Sequence, residues 1–348
     1  MKRKSFTAGL AAVLSIFMFL VAPAGSLNAQ EKPFYQGKTL TIVVGYAAGG
    51  GYDLYARILA RHIGRHIPGE PTVIVRNVPG AGSRVAINQL YAETKPDGLT
   101  IATFDRDAYT SQLLKHAGIL YDLRKLSWIG SASSELSVLQ VRTDAGIRSP
   151  QDLFTLKSPL IVGDTGVGSS PYVQSRGVET ALGLQFKHVT GYKGSSEVAI
   201  AIERGEVQAV VGSINSLQTR RPHWLKQGLI RIVLQMTEER RPNLPDVPAA
   251  GELAKDEKGR QLIAASVAGN EWARPYAGPP GMPADRLQIL RKALAETLKD
   301  PKFLAEAKQQ KLELEDPMTG EQVEKKMKQV LEMPPDVLEN FKRLFEEK

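Results

Sequence analysis

The stretch from residue 39 to residue 57 constrains the fold more than any other part of the chain. It reads TLTIVVGYAAGGGYDLYAR, an apolar run that leads into a glycine loop at 45–51. The valine- and isoleucine-rich run predicts a buried strand of a parallel sheet. Leu54, Tyr55 and Ile58 then recur at the spacing of a helix. The stretch therefore predicts a strand, a loop with almost no side-chain bulk, and a helix whose free N–H groups face the loop.

This glycine loop lacks the signatures of the common nucleotide-binding loops. A P-loop ends in Gly-Lys-Ser/Thr, whereas Gly51 is followed by Tyr52 and Asp53, which disfavours nucleoside triphosphates. A dinucleotide fingerprint needs a third glycine at the position that Leu54 occupies. Asp53 is instead placed to accept from the first free N–H groups of the helix. Taken alone, the loop predicts either a site for a small anionic group or a tight turn that binds nothing.

The N-terminus has the pattern of an export signal. Three basic residues at 2–4 precede an apolar run from 8 to 22, and small or turn-forming residues follow up to Ala29. This order is typical of a signal peptide, and the run is short for a membrane span. We predict a signal peptide at 1–29 that is cleaved after Ala29, with Ala-Pro-Ala at 22–24 as the competing site and an uncleaved anchor as the alternative. The mature protein is expected in the periplasm.

The composition limits the possible partners. The chain contains no cysteine, so it has neither a cysteine to carry a lipid anchor nor a disulfide framework. Removing the three basic residues of the signal peptide leaves 42 of the 45 basic residues against 37 acidic ones, a net charge near +5. So small a surplus, with the signs interspersed, does not indicate nucleic acid binding and suits an acidic small molecule or an anionic membrane surface. The remaining length, about 320 residues, predicts two domains.

The first half of the chain repeats the strand–loop–helix unit. A second strand at 72–75 leads into the loop Gly80–Ser83 and a helical pattern at 85–91, and a third strand follows at 99–104. Strands that alternate with helices predict a doubly wound α/β sheet. Ligands of such sheets bind beyond the carboxyl ends of the strands. The Asp-Arg-Asp cluster at 105–107 is therefore a candidate site, with Arg106 meeting either a ligand or its acidic neighbours.

The pattern restarts in the second half, and its predicted strands lie at 138–141, 160–162, 186–189, 207–211 and 230–234. One of these strands runs directly into the glycine loop Gly163–Ser170. The C-terminal helical patterns bring too few strands for a third domain, so we expect them to pack on the first half. We predict one lobe from 30–130 and 240–348 and a second from 131–239. Glycine loops in both sheets would then face each other across a cleft and clamp an anionic ligand.

Several short motifs resemble those of the receptors of tripartite tricarboxylate transporters, the Bug family of periplasmic binding proteins. They occur in the family's order over nearly the whole mature chain. The matching stretches are IVVGYAAGGGYD at 42–53, RNVPGAG at 76–82, PDGLT at 96–100, GVGSSP at 166–171, GYKG at 191–194, LPDVP at 244–248 and AGPPGMP at 277–283.

The resemblance implies a two-lobed, flytrap-like α/β receptor that binds small organic acids and passes them to membrane transporter subunits. It implies no cofactor, no metal, no catalytic residues and a monomeric protein. The loops that hold a carboxylate in this family correspond here to Tyr46, Ala47, Ala48, Gly49 and Asp53, to Gly80, Ala81, Gly82 and Ser83, and to Thr165, Gly166, Gly168 and Ser169. Tyr192, in the GYKG motif, completes the expected site.

The chain departs from the family pattern at several positions. Gly45 stands where the family usually has proline, Ser83 replaces a common glycine, and the cluster at 105–107 is unusual. We therefore add Asp105 and Arg106 to the candidate ligand-binding residues. A guanidinium can bind a carboxylate with two parallel hydrogen bonds, so Arg106 is predicted to help select the ligand by pairing with a second acidic or polar group.

Other functions have weaker support. His62 and His66 share a helix face, but no third metal ligand is evident and a solvated face is expected. Ser169 and Ser170 lie in no nucleophile elbow, and no histidine is placed as a general base, so we do not expect an enzyme. The alternative is an α/β enzyme that uses the Gly80-x-Gly82 loop for a dinucleotide or phosphate, although an export signal argues against diffusible nicotinamide cofactors.

Overall fold

The computed structural model of the chain describes residues 32–342. Within this range the strands form two sheets, one of six strands and one of five. The predicted signal peptide and its cleavage after Ala29 lie outside the described residues. Residues 33–342 belong to one compact unit.

The first sheet is built around the strand predicted from the glycine-loop stretch. Its strands are β1 (Thr39–Val44), β2 (Thr72–Asn77), β3 (Thr100–Thr103), β4 (Ser127–Ser131), β10 (Pro275–Gly278) and β11 (Met318–Thr319), in the order β11-β4-β10-β3-β1-β2. β1 runs parallel to both β2 and β3, and Val44 pairs with Asn77 on one side and Thr103 on the other. Because parallel strands end at the same edge, the loops after β1, β2 and β3 lie together.

The second sheet repeats this arrangement. Its strands are β5 (Ser137–Arg142), β6 (Leu160–Gly163), β7 (Phe186–Val189), β8 (Ala209–Ser213) and β9 (Ile230–Gln235), in the order β7-β6-β8-β5-β9. β6 runs parallel to β7 and β8, whereas β5 is antiparallel to β8 and β9. The carboxyl ends of β6, β7 and β8 therefore bring a second set of loops to one edge.

Helices cover the sheets with their apolar sides. They are α1 (Gly51–Ile63), α2 (Arg84–Ala92), α3 (Ala108–Leu113), α4 (Ser170–Leu182), α5 (Ser195–Arg204), α6 (Ile214–Arg220), α7 (Pro222–Lys226), α8 (Ala250–Leu253), α9 (Glu257–Val267), α10 (Ala284–Thr297), α11 (Pro301–Gln309), α12 (Gly320–Leu331) and α13 (Pro335–Lys342). In α1 the buried side chains include Tyr55, Ile58 and Leu59, as the predicted helical spacing requires. No helix within residues 32–342 is both long and apolar enough to cross a bilayer.

The two-sheet α/β architecture predicted from the sequence is confirmed, but the sheets are mixed rather than purely parallel. Three strands were not predicted: β4, β10 and β11. β4 reads SWIGS and β10 reads PYAG, so neither has the β-branched run that marks a strand. These segments become strands because they pair with each other and with β3. A 3₁₀ helix, Pro150–Phe154, follows β5.

The segment between the two sheets contributes to both cores. On α9, Leu262 and Ala265 pack in the core that contains Trp128, whereas Ile263 and Val267 pack in the core of the second sheet. All strands of the second sheet lie within 137–235. The lobe boundaries given above remain a prediction.

The prediction of a solvated helix face around His62 is wrong. His62 is buried, and its Nε2 lies 2.5 Å from a carboxylate oxygen of Glu306 on α11. His66 contacts Asp300, at the N-terminus of the same helix, at 2.9 Å. α11 follows α1 by more than 200 residues, so the sequence pattern of α1 alone could not show that a second helix covers this face.

Candidate functional site

Two neighbouring cavities lie between the loops of the two sheets. We call the first, of about 250 Å³, the glycine chamber; it is lined by Tyr46, Gly80, Ala81, Gly82, Arg84, Thr165, Gly166, Val167, Thr190, Gly191, Tyr192 and Lys193. The second, of about 120 Å³, is the apolar chamber. Tyr46 and Thr165 line both, so the two chambers share a wall.

The glycine chamber is formed by close contact of backbone with backbone. A Cβ atom on Gly166 would lie 2.8 Å from the amide nitrogen of Gly82, so only glycine allows the two loops to meet here. The amide of Ala47 also donates to the carbonyl of Lys193 at 3.0 Å. Loops that follow β1, β2, β6 and β7 therefore close around one space.

The loop from Gly80 to Ser83 is locally strained. All four residues have positive φ, including Ala81 at 47° and Ser83 at 68°. Side chains rarely adopt this left-handed region, which costs roughly 1–2 kcal/mol per residue, and such strain is concentrated at ligand-binding loops. Ser83 is held by a buried hydrogen bond, in which the amide of Asp105 donates to its Oγ at 2.8 Å.

The charges of the glycine chamber favour an anion. Arg84 and Lys193 line it, and no acidic residue does. None of the salt bridges between described residues includes Arg84 or Lys193. The Nε of Arg84 donates to the carbonyl of Ala81 at 3.0 Å, which fixes the guanidinium beside the strained loop. A small ligand with one carboxylate would meet positive charge and backbone N–H groups here.

Asp105 joins the two halves of the site. Its carboxylate accepts from the amide of Ser170 at 3.1 Å, from the hydroxyl of Ser170 at 2.7 Å and from the amide of Asp107 at 2.8 Å, and it also accepts from the hydroxyl of Tyr46. Ser170 is the first residue of α4, so the chain's own carboxylate lies at this helix N-terminus. Asp105 is 1% exposed. The position that such a terminus offers to an anion is therefore filled.

Arg106 and Arg274 share one acidic partner, Glu135. The Nη1 of Arg106 lies 2.6 Å from Glu135, its Nη2 donates to Ser137 at 2.8 Å, and Arg274 also pairs with Glu135. Burial would raise the pKa of Glu135, but the two guanidiniums outweigh it and hold the pKa at about 2. The ion pair of Arg106 is thus with Glu135 and not with Asp105 or Asp107.

Asp107 is also buried, but here the favourable interactions do not outweigh the effect of burial. Burial raises its pKa to about 7, although the neighbouring charge of Arg106 acts in the opposite direction. A Cβ on Gly269 would collide with its carboxylate, so the 3₁₀ helix Ala268–Trp272 packs directly on this group.

The opposite wall of the apolar chamber belongs to the second sheet and its helices. Ser195, Val198 and Ala199 come from α5, Val210 to Ser213 from β8, and Ser216, Leu217, Arg221 and Trp224 from the α6–α7 region. Val198, Ala199, Leu217 and Trp224 are each at most 5% exposed. The remaining lining is formed by Gly50, Gly51, Tyr52, Asp105, Arg106, Glu135, Gln140, Ser170, Pro171 and Arg274, besides the shared Tyr46 and Thr165.

Sixteen ligand-binding residues were predicted from the sequence, and nine of them line one of the two chambers. Tyr46, Gly80, Ala81, Gly82, Thr165, Gly166 and Tyr192 line the glycine chamber, and Tyr46, Thr165, Asp105 and Arg106 line the apolar chamber. The other seven, which line neither, are Ala47, Ala48, Gly49, Asp53, Ser83, Gly168 and Ser169.

Several of these seven support the loops from behind. Ser169 donates through its hydroxyl to the carbonyl of Gly166 at 2.7 Å. Asp53 lies in the first turn of α1, where its carboxylate accepts from the amide of Gly49 at 2.9 Å and from Arg57 and Asn77. The backbone N–H that Asp53 accepts from is thus that of Gly49 in the loop, whereas the sequence predicted the free N–H groups of the helix.

Sequence reasoning missed the side chains that give the chambers their charge and shape. Arg84 directly follows the second glycine loop, and Lys193 lies within the GYKG motif, so both positions carried a signal. Glu135 lies in the link between β4 and β5, and Arg274 directly precedes the unpredicted strand β10. No local pattern marks either of these two residues.

Comparisons with known proteins agree with this architecture. Residues 56–333 match the family model described as tripartite tricarboxylate transporter family receptor. A protein of Cupriavidus necator, described as UPF0065 protein in gbd 5'region, is 31% identical over 263 residues, which is 73% of this chain and 75% of that protein.

Two solved structures are similar in fold. The periplasmic binding protein BugD has a TM-score of 0.71 at 22% identity, covering 89% of this chain and 99% of BugD. MatC of Rhodopseudomonas palustris, solved with bound malate, has a TM-score of 0.67 at 18% identity, covering 87% of this chain and 99% of MatC. At these identities the likeness shows the fold, and it confirms the predicted two-lobed periplasmic-binding-protein fold.

Proposed function

This chain belongs to the receptor family of the tripartite tricarboxylate transporters, and from that premise we propose that it captures a small carboxylate in the glycine chamber. The family match confirms the predicted family. The observation that carries the proposal is the charge of this chamber, where Arg84 and Lys193 face a space that no acidic residue lines. MatC, a structural neighbour, was solved with malate, a ligand of the same chemical class.

The expected mode of binding is a backbone clamp. The loops at Gly80–Gly82 and Gly166–Val167 come from different sheets and line the same space. A carboxylate between them would accept from main-chain N–H groups of both, with Lys193 adding charge. Hinge closure around the ligand would then present one closed shape to the membrane subunits of the transporter. We propose that the receptor acts as a monomer.

The family consists of periplasmic binding proteins. We propose that this chain reaches the periplasm through a signal peptide that is cleaved after Ala29. The support for this proposal is the order of basic, apolar and small residues in the sequence. Intact-mass spectrometry of the secreted protein would test the cleavage site, and a mass that retains residues 1–29 would contradict it.

The dinucleotide alternative receives less support. The Gly80-x-Gly82 loop does line the glycine chamber, but Val85 stands where a third glycine would allow close helix packing. The chamber of about 250 Å³ is also smaller than the roughly 300–1,000 Å³ typical of sites for drug-sized ligands. A small organic acid fits this space better than a dinucleotide.

Calorimetry with a panel of small organic acids tests the proposal. Lys193→Met should weaken every carboxylate about tenfold, equal to about 1.4 kcal/mol, because it removes one charge from the chamber. Lys157→Met is the matched control, since Lys157 is exposed and lines neither chamber. The proposal would be refuted if none of the acids bound the unmodified protein, or if both variants lost the same amount of affinity.

A further inference from the structure

The apolar chamber is not explained by the capture of a carboxylate in the glycine chamber. It lies directly behind Tyr46 and Thr165, which line both spaces. A ligand held in the glycine chamber would therefore lie next to a second space, with the side chains of Tyr46 and Thr165 at the boundary. What that space accepts depends on which of its polar groups are still free to bind.

The charged groups of the polar wall pair mainly with one another, and the Nε atoms of Arg106 and Arg274 and the hydroxyl of Thr165 are the buried lining atoms without a hydrogen-bond partner among the described residues. Asp105 accepts from Ser170, Asp107 and Tyr46, and Glu135 pairs with both Arg106 and Arg274. The carboxylates of Asp105 and Glu135 thus balance the guanidiniums of Arg106 and Arg274. A second carboxylate from a ligand would meet Asp105, and in a buried space like charges repel strongly.

The remaining cation in the lining, Arg221, stacks on an aromatic ring. Its guanidinium lies over the ring of Trp224, with the central carbon 5.1 Å from the ring centroid. Glu203 accepts from the indole N–H of Trp224 at 2.9 Å and places a negative charge nearby. Arg221 therefore contributes mainly the flat, weakly hydrated face of a stacked guanidinium.

Most of the opposite wall is hydrocarbon, although Ser195, Ser213, Ser216 and Arg221 also line it. Val198 and Ala199 of α5, Val211 of β8, Leu217 and Trp224 line it. An apolar cavity of about 150 Å³ can hold a benzene molecule. The chamber of about 120 Å³ is therefore of a size for a short or branched hydrocarbon chain or part of a small ring. Filling it would remove apolar surface of both ligand and protein from water.

We infer that the ligand is a monocarboxylate with a compact apolar body, which lies in the apolar chamber while the carboxylate lies in the glycine chamber. Asp105 then acts as a specificity determinant, because it excludes ligands with a second carboxylate. This inference rests on the function proposed above and narrows its ligand class.

The test compares acids that differ only in their far end. Calorimetry with pentanoate and glutarate is a matched pair, since both have five carbons and glutarate has a second carboxylate. Acetate serves as a probe of the glycine chamber alone. We expect pentanoate to bind at least tenfold more tightly than both acetate and glutarate.

A cavity-filling variant locates the effect. Ala199→Phe places a ring in the apolar chamber and should weaken pentanoate at least tenfold while leaving acetate unchanged. Ile200→Phe is the matched control, because Ile200 is the next residue of α5, is 47% exposed and lines neither chamber. Asp105→Asn should raise the affinity for glutarate relative to pentanoate, because the repelling charge is gone.

The outcomes separate this inference from the proposed function. If acetate, pentanoate and glutarate all fail to bind the unmodified receptor, the proposed function itself is refuted. Glutarate binding as tightly as pentanoate, or an equal loss of acetate and pentanoate in Ala199→Phe, overturns only the inference. If Ala199→Phe does not fold, the comparison of pentanoate with glutarate decides alone.

Discussion

The two chambers are built in opposite ways. The glycine chamber is lined mainly by loop residues, and its shape depends on residues without side chains, such as Gly82 and Gly166. The apolar chamber is bounded by side chains, and its polar wall is a set of buried ion pairs around Asp105 and Glu135. Changes in the first should therefore affect ligand affinity, and changes in the second should affect stability and ligand choice.

The largest expected effect is on the stability of the apolar chamber. Glu135→Gln would leave Arg106 and Arg274 buried without their shared counter-ion. Loss of one member of a buried ion pair costs about 3–5 kcal/mol. We expect the melting temperature to fall by about 10 °C, since 1 kcal/mol corresponds to about 2–4 °C in a domain of 150–250 residues.

Glu252→Gln is the control for that measurement, because Glu252 forms a surface ion pair with Arg240 and exposed pairs contribute little. Equal melting temperatures for the two variants would show that the shared ion pair does not stabilise this wall. Arg106→Lys, which keeps the charge, should cost less than Glu135→Gln. A selective loss of dicarboxylates in Arg106→Lys would instead support the ligand-selecting role predicted from the sequence.

The next effect concerns the backbone clamp. In Gly166→Ala the new Cβ would lie 2.8 Å from the amide nitrogen of Gly82, so the two loops could not approach as they do here. We expect carboxylate affinity to fall about 100-fold, equal to about 2.7 kcal/mol. Gly183→Ala is the control, because Gly183 also has positive φ but has open space around its Cβ position. Equal affinities in calorimetry would contradict a clamp that depends on close approach.

A third prediction uses the pH dependence of stability. The pKa of Asp107 is raised to about 7 in the folded protein. The protonated carboxyl therefore favours the folded state at low pH, and this contribution to stability is lost as the pH rises towards and through 7. Asp107→Asn cannot ionise and should melt about 5 °C higher than the unmodified protein at pH 8, with a smaller difference at pH 5. The exposed Asp144→Asn is the control. A constant difference at both pH values would show that Asp107 does not titrate in this range.

The smallest effect concerns the support of the first glycine loop. Asp53→Ala removes the acceptor for the amide of Gly49 and should cost about 0.5–1.5 kcal/mol of stability. Asp53→Asn should recover part of it, because the amide oxygen can still accept. Thermal melting without ligand is the measurement. An unchanged melting temperature together with lost carboxylate binding would make Asp53 a direct ligand group instead.

The difference between the glycine chamber and the apolar chamber also explains which parts of the site could be predicted from the sequence. Gly80, Gly82 and Gly166 were found because a loop that needs positive φ or close backbone approach leaves glycine at fixed positions. Arg274 could not be found, since it precedes a strand, PYAG, that forms only through pairing with β3 and β4. Glu135 is likewise meaningful only once Arg106 and Arg274 are brought to either side of it.

The sequence by itself determined the repeated strand–loop–helix units, the two sheets and the glycine loops, because these follow from local periodicity and backbone conformation. The tertiary structure decided the partner of Arg106, the burial of His62 by α11 and the apolar wall formed by Val198, Leu217 and Trp224. These depend on contacts between residues far apart in the chain. Local sequence patterns do not predict such contacts, because charge pairing and burial arise only when the sheets and helices pack together.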